Sequence, residues 1–243
     1  MTFKKIVGFG DSWTYGDELL DPELQAKVPD AHPSWTQNQA YREQHCFLGL
    51  LGQHYNVPVE NFGIPGGSLQ SAMWTYLWWL EHEPNPEQCL VLHFITEADR
   101  TTFYNPDHVH YSNDPPWNKF VHSTWVEFGS SVISNDWCNM VKQNLVLTNC
   151  AELRKLTYIQ TVEFFDSQSY KLKIPVIQTH VLPPPVEWKC NTVVSPVWPT
   201  TDWATYMNRR RHMLKPDGHP NELGHEHIRD LLIPEIERAI IAQ

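Results

Sequence analysis

The sequence predicts an α/β fold: a parallel sheet covered on both faces by helices. Three observations carry this. Short apolar runs alternate along the chain with longer stretches of helical period, and strand–helix–strand alternation gives parallel strands joined by crossovers. The apolar runs end in Gly, Asp or Pro, the residues that close strands with turns. The chain has 243 residues and 41% hydrophobic residues, enough for one α/β domain with a sizeable core, so residues 1–243 read as a single domain.

The elements follow in order. Residues 6–9, Ile-Val-Gly-Phe, form a buried strand ended by Gly10 and Asp11. Residues 39–55 are helical, with Phe47, Leu48, Leu50 and Leu51 as the apolar positions. A weaker strand over 57–62 closes at Gly63, and a helix over 68–81 follows with Ser68 as its N-cap. Residues 89–95, Cys-Leu-Val-Leu-His-Phe-Ile, are the clearest strand. A long helical pattern spans 137–170, and a fourth strand over 174–181 is stopped by Pro183, Pro184 and Pro185. The chain closes with a helix over 222–242, whose stripe is Ile228, Leu231, Leu232, Ile236 and Ile240. Pro234 is expected to kink or split it. Two irregular, aromatic-rich segments, about 101–136 and 183–203, follow the third and fourth strands. Ligands in open α/β folds sit beyond the carboxyl ends of the strands, so both segments belong at the ligand end.

Composition excludes several classes. A net charge of −10 without a basic stripe argues against nucleic acid as a partner. The one basic cluster, Arg209, Arg210, Arg211 and Lys215, reads as a solvated face. Five Cys with no C-x-x-C pair fit reduced thiols in a cytoplasm rather than a secreted disulfide framework. No stretch approaches the roughly 18 apolar residues of a membrane span, and the most apolar segment, 74–80, ends at Glu81. No phosphate loop or dinucleotide fingerprint occurs, so no cofactor is expected. Asp107-His108-Val109-His110 offers the two imidazoles of His108 and His110 without a third ligand at a telling spacing, so no metal is expected either. Asp17, Glu18, Asp21 and Glu23 read as a solvated acidic face.

Two motifs carry chemistry. Gly8-Phe9-Gly10-Asp11-Ser12-Trp13 places a Ser at the top edge of the sheet, where its hydroxyl is a nucleophile and its backbone N–H a donor. Taken alone, Asp11-Ser12 is equally a helix cap after a strand. The second motif is Asp217-Gly218-His219-Pro220-Asn221-Glu222-Leu223-Gly224-His225, just before the last helix. A nucleophilic Ser needs a base, His is the usual one, and a nearby Asp holds the ring in the right tautomer. His225 and His227 read as surface or packing residues.

These motifs resemble the first and last sequence blocks of the SGNH, or GDSL, hydrolases. Asn61-Phe62-Gly63-Ile64-Pro65-Gly66-Gly67 is similar to the family's second block. The resemblance implies a three-layer α/β/α sandwich with a flavodoxin-like central parallel sheet. It implies Ser12, His219 and Asp217 as the catalytic residues, Gly63 as an oxyanion donor, and a small-molecule or glycan ester, such as an O-acetyl group, as substrate. Two departures stand out. Where the family has G-x-N-D after the third strand, this chain reads Thr96-Glu97-Ala98-Asp99-Arg100, with Thr96 the candidate donor in place of Asn. Asp99 and Arg100 are expected to pair with each other or to hold a charged substrate group. Where the family has D-x-x-H, this chain has Asp217-x-His219. An acyltransferase on the same site, or a non-catalytic binding protein retaining the fold, remain alternatives to a hydrolase. Trp117, Trp125, Trp188, Trp198 and Trp203 are candidate stacking surfaces for a ringed substrate.

Overall fold

The computed structural model describes residues 3–33, 35–98, 100–104, 120–123, 151–197 and 200–241. Its strands are β1 Lys5–Gly10, β2 Val59–Gly63, β3 Cys89–Ile95, β4 Thr101–Tyr104, β5 Phe120–Ser123 and β6 Val176–His180. Its helices are α1 Ser12–Tyr15, α2 Pro22–Lys27, α3 Gln39–His45, α4 Phe47–Tyr55, α5 Leu69–His82, α6 Ala151–Leu172, α7 Trp203–Asn208 and α8 Glu222–Ile241. Among the described residues the parallel sheet has the order β2-β1-β3-β6. Gly10 pairs with Gly63, Phe9 with His93, and Ile95 with His180, so the carboxyl ends of all four strands share one edge.

The sheet is covered on both faces, as the alternation predicts. On one face Ile6, Leu90, Leu92, Phe94 and Ile177 meet Phe47, Leu48 and Leu51 of α4 and Ile228, Leu232 and Ile236 of α8. On the other, Val7, Phe9, Val91 and Val176 meet Tyr76 and Trp79 of α5 and Phe165 of α6. Successive residues of β1 therefore serve opposite layers, the period of two that a strand imposes. In α6 the buried residues Tyr158, Thr161, Val162 and Phe165 repeat every three or four positions, the stripe a helix needs to lie on a sheet. Among the described residues no helix is long and apolar enough to cross a membrane.

Some elements differ from expectation. The helical stretch 39–55 breaks at Cys46, whose backbone is extended. There the Phe47 N–H donates to His225 Nδ1 at 3.2 Å instead of to a helical carbonyl. Ser68 does cap α5, in a reciprocal box with Ser71. Segment 101–136 is not wholly irregular, because β4 and β5 form an antiparallel pair. Of the helical pattern 137–170, residues 137–150 lie outside the described residues. The last helix runs unsplit through Pro234, which is exposed along with Asp230 one turn earlier.

Candidate active site

The first strand delivers Ser12 directly. β1 ends at Gly10, Asp11 is the N-cap, and Ser12 opens the single turn of α1. The Asp11 carboxylate accepts from the Trp13 N–H at 3.1 Å, and Gly16 ends the turn in the left-handed conformation. The turn is pressed against the end of β2. A Cβ at Gly63 would stand 2.2 Å from the Tyr15 backbone nitrogen. Asn61 clamps the same junction, donating to the Thr14 carbonyl at 2.9 Å and accepting from the Gly63 N–H at 2.9 Å. Ile64-Pro65-Gly66-Gly67 then turns the chain away, with Gly67 N–H on the Ile64 carbonyl and Gly66 at φ 72°.

The loop before α8 delivers the imidazole. Leu214 bridges Pro220, the Lys215 N–H donates to the His219 carbonyl at 2.8 Å, and Gly218 N–H donates to the Lys215 carbonyl at 3.0 Å. Asn221 fixes the exit: its side chain accepts from Gly224 N–H at 3.0 Å and donates to the His212 carbonyl at 2.9 Å. Within this tight loop Asp217 reaches His219 twice. One carboxylate oxygen accepts from the His219 backbone N–H at 3.2 Å, and the other lies 2.6 Å from Nδ1. The His219 Nε2 lies 2.9 Å from the Ser12 hydroxyl, across 207 positions of sequence. With Nδ1–H directed at a carboxylate, Nε2 is left to accept the Ser12 proton. Burial alone would push the Asp217 carboxyl up, but the two hydrogen bonds and the charge of His219 outweigh it and hold the carboxyl below its usual value.

The other two oxyanion candidates are already engaged. The Gly63 N–H is spent on Asn61, and close packing against α1 accounts for the glycine. The Thr96 hydroxyl donates to Asp11 at 2.8 Å. Neither group is free where the resemblance would use it. The Ser12 N–H heads its helical turn, a position with no acceptor inside the helix.

Arg100 has a role that the sequence did not disclose. It donates to Asp11 at 3.0 Å and to the Gly67 carbonyl at 3.4 Å from Nη1, and to Glu97 at 3.3 Å from Nε. Asp99, its expected partner, lies outside the described residues. The usable signal was the carboxylate of Asp11: a charge at a strand end needs a partner, and the chain carries Arg100 five residues beyond the end of the neighbouring strand.

The acidic face is not simply solvated. Asp21 caps α2 and Glu23 is exposed, but Asp17 and Glu18 are half-buried beside His219. Burial pushes the Asp17 carboxyl up against the opposing pull of His219. Burial, and then the charges of Asp217 and Asp17, push up that of Glu18, which sits at φ 68°.

Other candidates resolve into packing. Trp203 is fully buried and donates to Thr179, so it offers no stacking surface. Trp188 is partly exposed, with its N–H on Glu163 at 2.6 Å. Trp117, Trp125, Trp198, Asp107, His108 and His110 lie outside the described residues. His225 is buried, and His227 stacks on Tyr206. Arg210 lies over the same ring, so the basic cluster is not wholly solvated. Glu163, Asp166 and Cys190 bring ligand atoms within 4.8 Å of one another. Donors from Trp188, Cys190 and Thr192 already occupy both carboxylates, tying the segment after β6 to α6.

No protein-family model and no curated protein matches the sequence. Solved structures align with it over nearly its full length at low identity. One is a member of the lipolytic protein G-D-S-L family from Veillonella parvula, 11% identical, covering 95% of this chain and 96% of that one, with a TM-score of 0.38. Another is the psychrotrophic esterase EstA from Pseudoalteromonas sp., 11% identical, covering 98% of each chain, with a TM-score of 0.44. A third is LAE5, an α/β hydrolase enzyme from the metagenome of Lake Arreo, 12% identical, covering 98% of this chain and 97% of that one, with a TM-score of 0.44. Identities this low transfer no residue role.

Proposed function

We propose that the protein is a serine hydrolase that cleaves a small ester through an acyl-enzyme on Ser12. The observation that carries this reading is the unbroken chain Ser12 Oγ, His219 Nε2, His219 Nδ1, Asp217, with separations of 2.9 and 2.6 Å. Three residue types with complementary proton roles, converging from the two ends of the sequence at the carboxyl edge of the sheet, are what nucleophilic acyl transfer needs.

The chemistry runs as two displacements. The Ser12 oxygen bonds to the ester carbonyl carbon while its proton passes to His219 Nε2, and the carbonyl π pair moves onto oxygen. That oxyanion is held by the Ser12 N–H. As the carbonyl re-forms, the bond to the leaving alkoxide breaks, and His219 returns its proton to that oxygen. Water then attacks the acyl carbon with His219 again as base, releasing the acid and restoring the Ser12 hydroxyl. Asp217 keeps the imidazole in the tautomer this requires and stabilises it when charged. The half-buried carboxylates Asp17 and Glu18 beside His219 favour neutral over anionic esters. A p-nitrophenyl ester assay tests the reading. Wild type turns over p-nitrophenyl acetate and Ser12→Ala does not; equal turnover by both proteins would remove Ser12 from the mechanism.

A further inference from the structure

Acyl transfer through Ser12, His219 and Asp217 uses none of the side chains packed around Asp11. There, Asp11 is 1% exposed, Thr96 5%, and the Arg100 side chain 14%. Asp11 caps the turn that Ser12 opens, so a buried carboxylate lies one residue from the nucleophile. Left without a partner, its charge would oppose an anion forming near that turn. Asp11 is nevertheless useful, because it caps the turn that aims Ser12.

Arg100 meets both demands. Its Nη1 bonds Asp11 and the Gly67 carbonyl, and its Nε bonds Glu97. One guanidinium thus joins the turn after β1, the turn after β2 and the end of β3. The Thr96 hydroxyl adds a second hydrogen bond to the same Asp11 oxygen, Oδ2. The planar fork suits this task better than an ammonium would, because its donors point in fixed and separate directions.

We propose that Arg100 is a positioning residue for Ser12: it pairs with the N-cap carboxylate of Asp11, cancels that charge beside the nucleophile, and locks the three strand-end turns together. This rests on the hydrolase reading. It makes the buried pair, rather than an amide side chain after the third strand, the feature that lets an anion form at this edge of the sheet. Its signature is interdependence. Arg100 matters because Asp11 is charged, so removing the charge of Asp11 removes most of the need for Arg100. A purely structural role would give two losses that add.

The experiment compares wild type, Arg100→Met, Asp11→Asn and the double variant. Asn retains a side-chain oxygen for the cap but carries no charge. Measured are kcat and KM for p-nitrophenyl acetate, the rate of inactivation by a fluorophosphonate, and the melting midpoint of each protein. Arg100→Met is expected to lose on the order of 100-fold in kcat and in inactivation rate, with KM little changed. The double variant should recover at least tenfold of that loss. If Arg100→Met does not fold, Arg100→Lys against Arg100→Gln carries the test, with Lys expected to retain at least tenfold more kcat. A reactive wild type with Arg100→Met at the wild-type rate, a double variant slower than Arg100→Met, or Lys no better than Gln overturns this inference alone. A folded wild type that reacts with neither probe overturns the hydrolase reading and this inference with it.

Discussion

Ser12 has two flanks built on opposite principles. On one, His219 and Asp217 sit in a loop whose side chains are 23% and 42% exposed, joined by short hydrogen bonds with room for the imidazole to gain and lose a proton. On the other, Asp11, Thr96 and Arg100 are nearly closed to solvent and joined by hydrogen bonds to one Asp11 oxygen. The contrast follows from what each flank must do. On the proposed mechanism His219 cycles between charged and neutral, and the carboxylate of Asp217 beside it stabilises the charged ring. A permanent charge pair that shapes a turn gains from a dry, low-dielectric setting, provided it is never broken. Activity should therefore be most sensitive at Ser12 and His219, and stability on the buried flank.

The largest effect isolates the exposed flank. Ser12→Ala and His219→Ala should each lower kcat/KM for p-nitrophenyl acetate by about 10⁴-fold or more, with melting midpoints near wild type. The next tests the buried flank. Asp11→Ala strips the cap of α1 and leaves Arg100 without its main partner, so chemical denaturation should register a loss of about 3–5 kcal/mol. A loss under about 1 kcal/mol would mean that the two flanks are not different in kind. Gly63→Ala sharpens the comparison at the junction between them. The new methyl meets the Tyr15 backbone at 2.2 Å and must displace the nucleophile turn, so kcat should fall by about tenfold or more along with the melting midpoint.

Asp217→Asn should be milder than Ser12→Ala or His219→Ala. A carboxylate as exposed as this one is partly screened, so a loss of about 10- to 100-fold in kcat is expected, with little change in stability. The last test concerns stability alone and comes from the buried histidines. Burial holds His93 and His180 at about 4 and His225 at about 3, against an ordinary 6.5. The unfolded chain binds protons at these sites before the folded one does. Their contribution to stability is full above pH 6.5 and is lost as pH falls toward 4. Denaturation midpoints should drop between pH 7.5 and pH 5, and a flat profile would contradict the buried, neutral state of these rings.

Much of the fold was legible because its elements are locally encoded. β3 was readable to the residue, since seven apolar-rich positions between turn signals leave a strand little freedom at either end. Ser12, Asp217 and His219 were legible because each sits in a short motif beside the element that carries it. What escaped depends on partners distant in sequence. The break at Cys46 arises from His225, 178 positions beyond Phe47, taking the Phe47 N–H. The occupation of Gly63 by Asn61 and of Thr96 by Asp11 is a matter of which way single hydrogen bonds point. The bond from Arg100 to Asp11 escaped because adjacency across strands is not visible in the sequence.

The central claim is that the Ser12 hydroxyl is the nucleophile and His219 its base. Treatment with a fluorophosphonate, followed by peptide mapping by mass spectrometry, tests it most directly. A single adduct on the peptide containing Ser12, formed by wild type, greatly slowed in His219→Ala and missing in Ser12→Ala, is the predicted result. An adduct on a different residue, or labelling of His219→Ala at the wild-type rate, would contradict it.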